Sequence, residues 1–169
     1  MKLNEEEKQK LENLYQSFLH DEKVMRMKEI PMHRGSNCYY HSFKVAKKAI
    51  KNALRHKNVN LEVILVGAIL HDYYLYNWRE NKRLLKKHGK NHPYIAAQNA
   101  EQDFHISEKV QKAIKSHMWP INIKEFPNSK EARIISVADK TIALRESLTS
   151  KAHKKKRDSV YLKHIEKLF

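Results

Sequence analysis

The feature of this sequence that most constrains its fold is an apolar run that ends in two polar side chains. The segment LEVILVGAIL, residues Leu61 to Leu70, is followed directly by His71 and Asp72. A helix that is apolar on nearly every side belongs at the centre of a bundle, although VILV alone would also suit a buried strand. A carboxylate in such a core is costly unless it is paired, hydrogen-bonded or bound to a metal. The sequence therefore predicts a central helix whose end carries a compensated charge.

The composition indicates that the other elements are also helices. The 169 residues include only three glycines and four prolines, while lysine, glutamate, leucine and alanine are abundant. Few turns and many helix-forming residues favour an all-α fold, which we expect to be one bundle of about six to eight helices. No repeat or shift in composition divides the chain, so we expect a single domain.

Several helix ends can be assigned from capping residues. Capping boxes, in which a polar cap precedes a glutamate by three residues, predict helices that start after Asn4 and Asn128. Asn60 and Ser107 are suited to cap two further helices. Pro93 suits the first position of a helix, which would place His92 at the cap.

The charge and the cysteine content bound the partners and the compartment. Lysine and arginine number 34 against 19 acidic residues, a net charge of +15, so we expect anionic partners such as phosphate compounds or nucleic acid. The basic run Lys151 to Arg157 is interpreted as a solvated linker or tail. The single cysteine excludes an internal disulfide, and the charged N-terminal stretch lacks a secretory signal. We expect a cytoplasmic protein without a membrane span; the oligomeric state stays open, a homo-oligomer included.

Six polar residues lie on or beside the apolar faces of different predicted helices. One explanation covers all of them: four imidazoles and two carboxylates that converge in a bundle can bind divalent metal, whose charge compensates the buried carboxylates. Six ligands suit two ions better than one closed structural zinc site, which takes four. Nitrogen and oxygen donors without thiolate suit iron, manganese, cobalt or zinc. The six residues are His41, His71, Asp72, His92, His117 and Asp139.

Five segments around these residues resemble the successive motifs of the HD-domain metal-dependent phosphohydrolase superfamily in its six-ligand form. They are YYHSFKVAKKA, GAILHDYYLY, NHPYIAAQNA, IKSHMWP and ISVADKTIAL, and they span about Pro31 to Glu146. The resemblance implies a core of five or more helices, with His41, His71, Asp72 and Asp139 as the basic ligand set. His92 and His117 would complete a dinuclear centre, and Asp72 would bridge the ions.

The domain boundaries follow from this resemblance. We expect an N-terminal helix in residues 1–30 that packs on the core, an HD domain in residues 31–147, and a basic linker with a C-terminal helix in residues 148–169 of the same domain. An amphipathic piece from Val160 to Leu168 is expected to pack back on the bundle.

Within the superfamily the chain is most similar to small stand-alone bacterial HD proteins, some of which hydrolyse dinucleoside polyphosphates through a di-iron centre. It lacks the G-Y-P signature of cyclic di-GMP phosphodiesterases and the Glu-Asp pair of guanosine-tetraphosphate hydrolases. We therefore expect cleavage of a nucleotide or dinucleotide phosphoester or phosphoanhydride by metal-bound hydroxide, with Asp72 and Lys140 as catalytic residues. The alternatives are a nucleic-acid-binding helical module with a structural metal site, or a polynucleotide phosphodiesterase.

Substrate contacts are expected from side chains close to the motifs. His33 and Arg34 lie upstream of His41, in a segment that is either a substrate contact or an ordinary solvated loop. Lys140 matches a lysine often found after the aspartate in the family. Arg79 follows the aromatic residues Tyr73, Tyr74, Tyr76 and Trp78, which either stack on a base or close the core. His88 lies four residues before His92 and is an alternative to it as a ligand.

Overall fold

Seven α-helices and one short 3₁₀ helix form the regular structure of the computed structural model, which describes residues 2–32, 36–80, 82–148, 163 and 165–169. Within these residues there is no strand, only an isolated bridge between Pro31 and Asn37. The all-α class is therefore confirmed. In chain order the helices are α1 (Glu5–Leu19), α2 (Glu22–Met25), the 3₁₀ helix (Arg26–Glu29), α3 (Cys38–Ala53), α4 (Leu61–Leu70), α5 (Lys82–Phe104), α6 (Glu108–Ser116) and α7 (Lys130–Leu148).

Three of the predicted helix caps are present. The side chains of Asn4, Asn60 and Ser107 accept hydrogen bonds from backbone N–H groups in the first turns of α1, α4 and α6. The predicted cap at Asn128 is wrong, because the Oγ atom of Ser129 accepts from the N–H of Ala132 at the start of α7. The glutamate of that predicted capping box is bound elsewhere, since it accepts from the N–H of Asn60.

The predicted helix start at Pro93 is also wrong. Pro93 lies inside α5, a helix of 23 residues, and His92 is an interior residue of it rather than a cap. A proline inside a helix removes one backbone hydrogen bond and normally kinks or breaks it. The rule that places proline in a first turn is local, whereas packing of the Ala96, Ala97 and Ala100 side chains in the core fixes the second half of α5.

Helix α4 is the buried centre of the bundle, as its composition predicted. Seven of its ten residues are buried, and it packs against α3, α6 and α7. It approaches α7 closely, because a Cβ atom added to Gly67 would lie 2.8 Å from the Cδ1 atom of Ile135. One helical turn further along each helix stand His71 and Asp139, so this close approach brings the end of α4 toward the middle of α7.

The two ends of the chain meet on this core. Buried side chains of α1 include Leu11 and Tyr15, and the Tyr15 hydroxyl donates to the carbonyl of Ile165 at 2.6 Å. Ile165 and Leu168 are themselves buried, whereas residues 160–162 and 164 of the predicted piece from Val160 to Leu168 lie outside the described residues. The basic run Lys151 to Arg157 lies outside the described residues. Among the residues described, no helix has the length and apolar character needed to cross a bilayer.

Candidate metal centre

Five helices contribute side chains to one buried cluster. His41 lies in the first turn of α3, and His71 and Asp72 end α4 and begin the turn after it. His92 comes from the middle of α5, His117 from the end of α6, and Asp139 from the middle of α7. Each of the six is at most 8% exposed. The structure therefore brings together all six predicted ligands, which are 98 residues apart along the chain at their extremes.

The Asp72 carboxylate stands between two pairs of histidines. Its Oδ2 atom lies 3.3 Å from Nε2 of His71 and 4.0 Å from Nε2 of His41. Its Oδ1 atom lies 3.2 Å from Nε2 of His92 and 3.8 Å from Nε2 of His117. Each oxygen thus faces a different histidine pair. Consecutive residues inside a helix point about 100° apart, but Asp72 lies after the end of α4, so it can face the same cluster as His71.

Asp139 completes the side of the cluster that contains His41. Its Oδ1 atom lies 3.1 Å from Nε2 of His41 and 3.6 Å from Nε2 of His71. Among the residues that the structure describes, three groups of side chains have ligand atoms within 4.8 Å of one another, close enough to share an ion. These groups are His41 with His71 and Asp72, His71 with His117 and Asp139, and Asp72 with His92 and His117.

Backbone carbonyls fix the orientation of three of the imidazoles. The Nδ1 atoms of His71, His92 and His117 lie 2.8, 2.8 and 2.7 Å from carbonyl oxygens three or four residues earlier on their own helices. A carbonyl oxygen only accepts, so in each ring Nδ1 carries the hydrogen and Nε2 faces the cluster. This arrangement is the usual support of a metal-binding histidine.

The inward-facing nitrogens fit a bound cation. The Nε2 atoms of His92 and His117 lie 3.0 Å apart, and with both Nδ1 atoms protonated this contact would join two lone pairs. The buried Nε2 of His71 makes no well-formed hydrogen bond, although the carboxylate oxygens of Asp72 and Asp139 lie 3.3 and 3.6 Å from it. Burial and the charge of His71 lower the pKa of His117 to about 3, which keeps its ring neutral. A divalent metal ion is bound by several nitrogen and oxygen lone pairs that point to one position, and these inward-facing nitrogens provide such lone pairs.

Without metal, the carboxylates are compensated by protons on two of the imidazoles. Burial opposes the charge on His41, but hydrogen bonds to Asp139 and Glu146 outweigh it and raise its pKa to about 9. The pKa of His71 is also raised, against burial, by the charge of Asp72 and by Asp139. The same contacts hold the pKa of both aspartates below the usual range despite their burial. A metal ion would take the place of these protons.

Glu146 and Lys44 belong to the site and were missed from the sequence. The Oε2 atom of Glu146 lies 2.9 Å from Nδ1 of His41, and its other oxygen accepts from the Lys44 ammonium. Glu146 is buried on α7, seven residues after Asp139 and therefore on the same helical face. The spacing of Asp139, Ile142 and Glu146 was the signal that could have identified it.

His88 supports the cluster from outside. Its ring stacks on His92 at 4.5 Å and on Trp78 at 4.9 Å, and Nδ1 contacts the Tyr76 hydroxyl at 2.9 Å. None of the three ligand groups found in the described part of the chain includes His88. The guanidinium of Arg79 lies 4.8 Å from the Trp78 ring centre. A stack of side chains therefore leads from the exposed Arg79 to His92.

The aromatic residues after Asp72 mainly close the core. Tyr73 and Tyr74 are buried, and the Tyr73 hydroxyl donates to Asp103 at 2.8 Å. Trp78 has His88 and the Arg79 guanidinium against its ring. Stacking of a base on Tyr73 or Tyr74 would therefore require the core to open, and the core interpretation is correct for these two residues.

The remaining predicted substrate contacts are placed differently. The Lys140 ammonium donates to the carbonyl of His117 at 2.8 Å and to the Ser136 hydroxyl at 2.6 Å, so it supports the end of α6. Arg79 donates to the carbonyl of Met32 at 2.8 Å. His33 and Arg34 lie outside the described residues. The substrate-binding roles of these four side chains stay predictions.

The fold and the buried histidine–aspartate cluster define a helical protein with a metal-type site. A family model described as HD domain matches residues 38–144. The chain belongs to the HD domain family, which places it among metal-dependent hydrolases that act, in general, on phosphate compounds. Comparisons with curated proteins and with solved structures found no match.

Proposed function

We propose that this HD-domain protein is a dinuclear metal-dependent phosphohydrolase. The observation that carries the proposal is the position of Asp72, whose two oxygens face different histidine pairs at 3.3 Å and 3.2 Å. A single ion would leave one pair of imidazoles without a partner, whereas two ions bridged by one carboxylate use both pairs. Asp139 adds a second carboxylate on the side of His41 and His71.

The donor set suits iron, manganese, cobalt or zinc, because it contains imidazole and carboxylate but no thiolate. Two divalent ions, two aspartates and a hydroxide leave a net positive charge, and Glu146 is balanced by Lys44. The centre would therefore attract a phosphate group. Ions held here would supply Lewis acidity toward a phosphoryl oxygen and an activated water near neutral pH.

The chain's own residues orient and protect this chemistry. The backbone carbonyls behind His71, His92 and His117 keep the three Nε2 atoms directed inward, so little reorganisation is needed when ions bind. The burial of the six side chains excludes bulk water, which strengthens their electrostatic effect on a bound phosphate. Lys140 fixes the end of α6 behind His117.

The proposed substrate is a nucleotide or dinucleotide with a phosphoester or phosphoanhydride bond. The resemblance to small bacterial HD proteins supports this choice, together with the net charge of +15. The exposed Arg79 guanidinium, at the outer end of the stack above His92, is the proposed phosphate or ribose contact, and His33 and Arg34 are proposed to assist it.

The test is a screen of the purified protein loaded in turn with Mn²⁺, Fe²⁺, Co²⁺ or Zn²⁺. Nucleotides, dinucleoside polyphosphates and oligonucleotides are offered, and product formation is followed by chromatography. Asp72→Asn should abolish hydrolysis and metal retention while the far-ultraviolet circular dichroism is unchanged. Asp103→Asn is the matched control, since Asp103 is bound by Lys23 and Tyr73 instead. Hydrolysis that survives in Asp72→Asn would refute the proposal.

The net charge also favours a second function, nucleic-acid binding with the metal site as a structural element. Such binding should weaken steeply as salt is added and should be unaffected by Asp72→Asn in folded protein. Cleavage of an oligonucleotide in the screen would instead indicate a polynucleotide phosphodiesterase. The number of ligands favours hydrolysis, because a structural site needs only four ligands and the cluster offers six.

A further inference from the structure

We infer that Glu146 is a positioning residue that makes the His41 side of the centre bind its metal ion more tightly than the His92 and His117 side. This inference rests on the proposed two-ion function. It concerns a side chain that touches no ion itself and acts through the ring of His41.

His41 differs from the other three histidines in what holds its outer nitrogen. Nδ1 of His41 lies 2.9 Å from the Glu146 carboxylate, whereas the corresponding atoms of His71, His92 and His117 face neutral backbone carbonyls. A hydrogen bond to a carboxylate is stronger than one to a carbonyl and raises the basicity of the imidazole more. His41 should therefore be the strongest nitrogen ligand of the cluster.

The carboxylates of the cluster also favour the His41 side. Within 4.0 Å, the His41 side has contacts to Asp139 and to one oxygen of Asp72, while the contacts of His92 and His117 are to the other oxygen of Asp72. Asp139 lies farther from His117, within 4.8 Å of it. Charge and ligand strength both favour the ion beside His41. The two positions should fill in order, with the His41 side first.

The helices place Glu146 for this role. Asp139 and Glu146 lie on one face of α7, and His41 and Lys44 lie one turn apart on α3, which packs against α7. Helix α7 thus supplies Asp139 as a ligand and Glu146 as the support of the neighbouring ligand His41. The Glu146 charge is compensated from two sides, by the Lys44 ammonium and by the Nδ1–H group of His41, so that Glu146 does not depend on Lys44 alone to stay ionised.

The experiment uses Co²⁺ titrations of the metal-free full chain, with a competing chelator and the visible absorption spectrum as readouts. Glu146→Gln keeps an oxygen that can accept from Nδ1 but removes the charge. It should weaken the first binding step by about 10- to 100-fold and change the spectrum at one equivalent, since loss of such a support typically costs that much affinity. The second step should change little, and Glu146→Asp should restore part of the affinity.

Lys44→Met separates this role from a general loss of stability. Both variants break the same buried ion pair, but Lys44→Met leaves the carboxylate on His41, so its first step should stay as tight as in the wild type or become tighter. Glu131→Gln is the control on the same helix, since Glu131 accepts from the backbone of Asn60 instead. It should leave both steps unchanged.

Three results would overturn the inference: an unchanged first step in Glu146→Gln, equal weakening of both steps, or equal weakening in Lys44→Met. The proposed function fails differently, through a wild-type protein that binds one ion or none. With one ion, the comparison of wild type and Glu146→Gln still tests whether Glu146 supports His41.

Discussion

The binding of the first metal ion should depend steeply on pH, because the ion must replace protons on the histidines. In the metal-free protein the pKa of His41 is raised to about 9, and that of His71 is also raised above the ordinary 6.5. Both rings are therefore protonated at neutral pH, and both must lose a proton before Nε2 can bind metal. Raising the pH removes this competition, so the affinity should rise with pH.

The size of the effect follows from the number of protons displaced. Release of the His41 proton alone should raise the binding constant by about one decade per pH unit, or about 1.4 kcal/mol, up to about pH 9. The His71 proton, whose pKa is also raised, should make the slope steeper. Above that value the slope should decrease, since His41 no longer carries its proton. Histidines with ordinary pKa values would instead give a slope that disappears above about pH 7.

The assay is calorimetric titration with Mn²⁺ in two buffers of different protonation enthalpy, repeated across this range of pH. His41→Gln is the internal control, because it removes one of the two competing protons and should reduce the slope by about one decade per pH unit. An affinity that is independent of pH between about pH 7 and about 8.5 would refute the reasoning, since it would mean that the buried carboxylates are not compensated by these protons.

Three further predictions concern the fold. Without metal, the free energy of unfolding should be greatest near pH 6.5. The stabilisation from His41 is complete below pH 6.5 and is lost as the pH rises through about 9. Below pH 6.5 stability falls, because His117 is protonated in the unfolded chain but stays neutral in the folded chain, where its pKa is about 3. Urea unfolding with a chelator present checks this, and a stability that rises steadily to pH 9 would contradict it. Tyr15→Phe removes the hydroxyl bond to the carbonyl of Ile165 and should cost about 1 kcal/mol without loss of metal, as urea unfolding and elemental analysis will report; no change in the urea midpoint would contradict it. Pro93→Ala restores a backbone donor inside α5 and should raise the free energy of unfolding by about 1 kcal/mol or more, and a lower urea midpoint would show that the proline is favourable there.

Much of the fold could be predicted because its signals are local. The fully apolar α4 followed by His71 and Asp72 predicted a buried helix with a compensated charge at its end, and both features are present. The caps at Asn4, Asn60 and Ser107 were correct for the same reason, since a capping side chain acts within its own turn.

The errors arise where packing overrides a local preference. Pro93 indicated a helix start, but α5 continues through it with His92 directed into the cluster. Glu131 indicated a capping box with Asn128, but its carboxylate is used by the start of α4 instead. Neither long-range contact has a signal in the neighbouring residues.

The groups that hold the metal-ligating side chains in place were harder to predict than the histidines and aspartates themselves. Histidines and aspartates on apolar faces are unusual and draw attention, whereas Lys44 and Glu146 look like ordinary surface charges until the packing of α3 against α7 brings them together. The carbonyls that orient His71, His92 and His117 belong to the backbone, so no residue type indicates them.

The measurement that tests the central claim most directly is anomalous diffraction from crystals of the Mn²⁺-loaded protein. Two ions sharing Asp72 should give two peaks about 3.5 to 4 Å apart, one beside His41 and Asp139 and the other beside His92 and His117. A single peak, or peaks that Asp72 does not contact, would contradict the account.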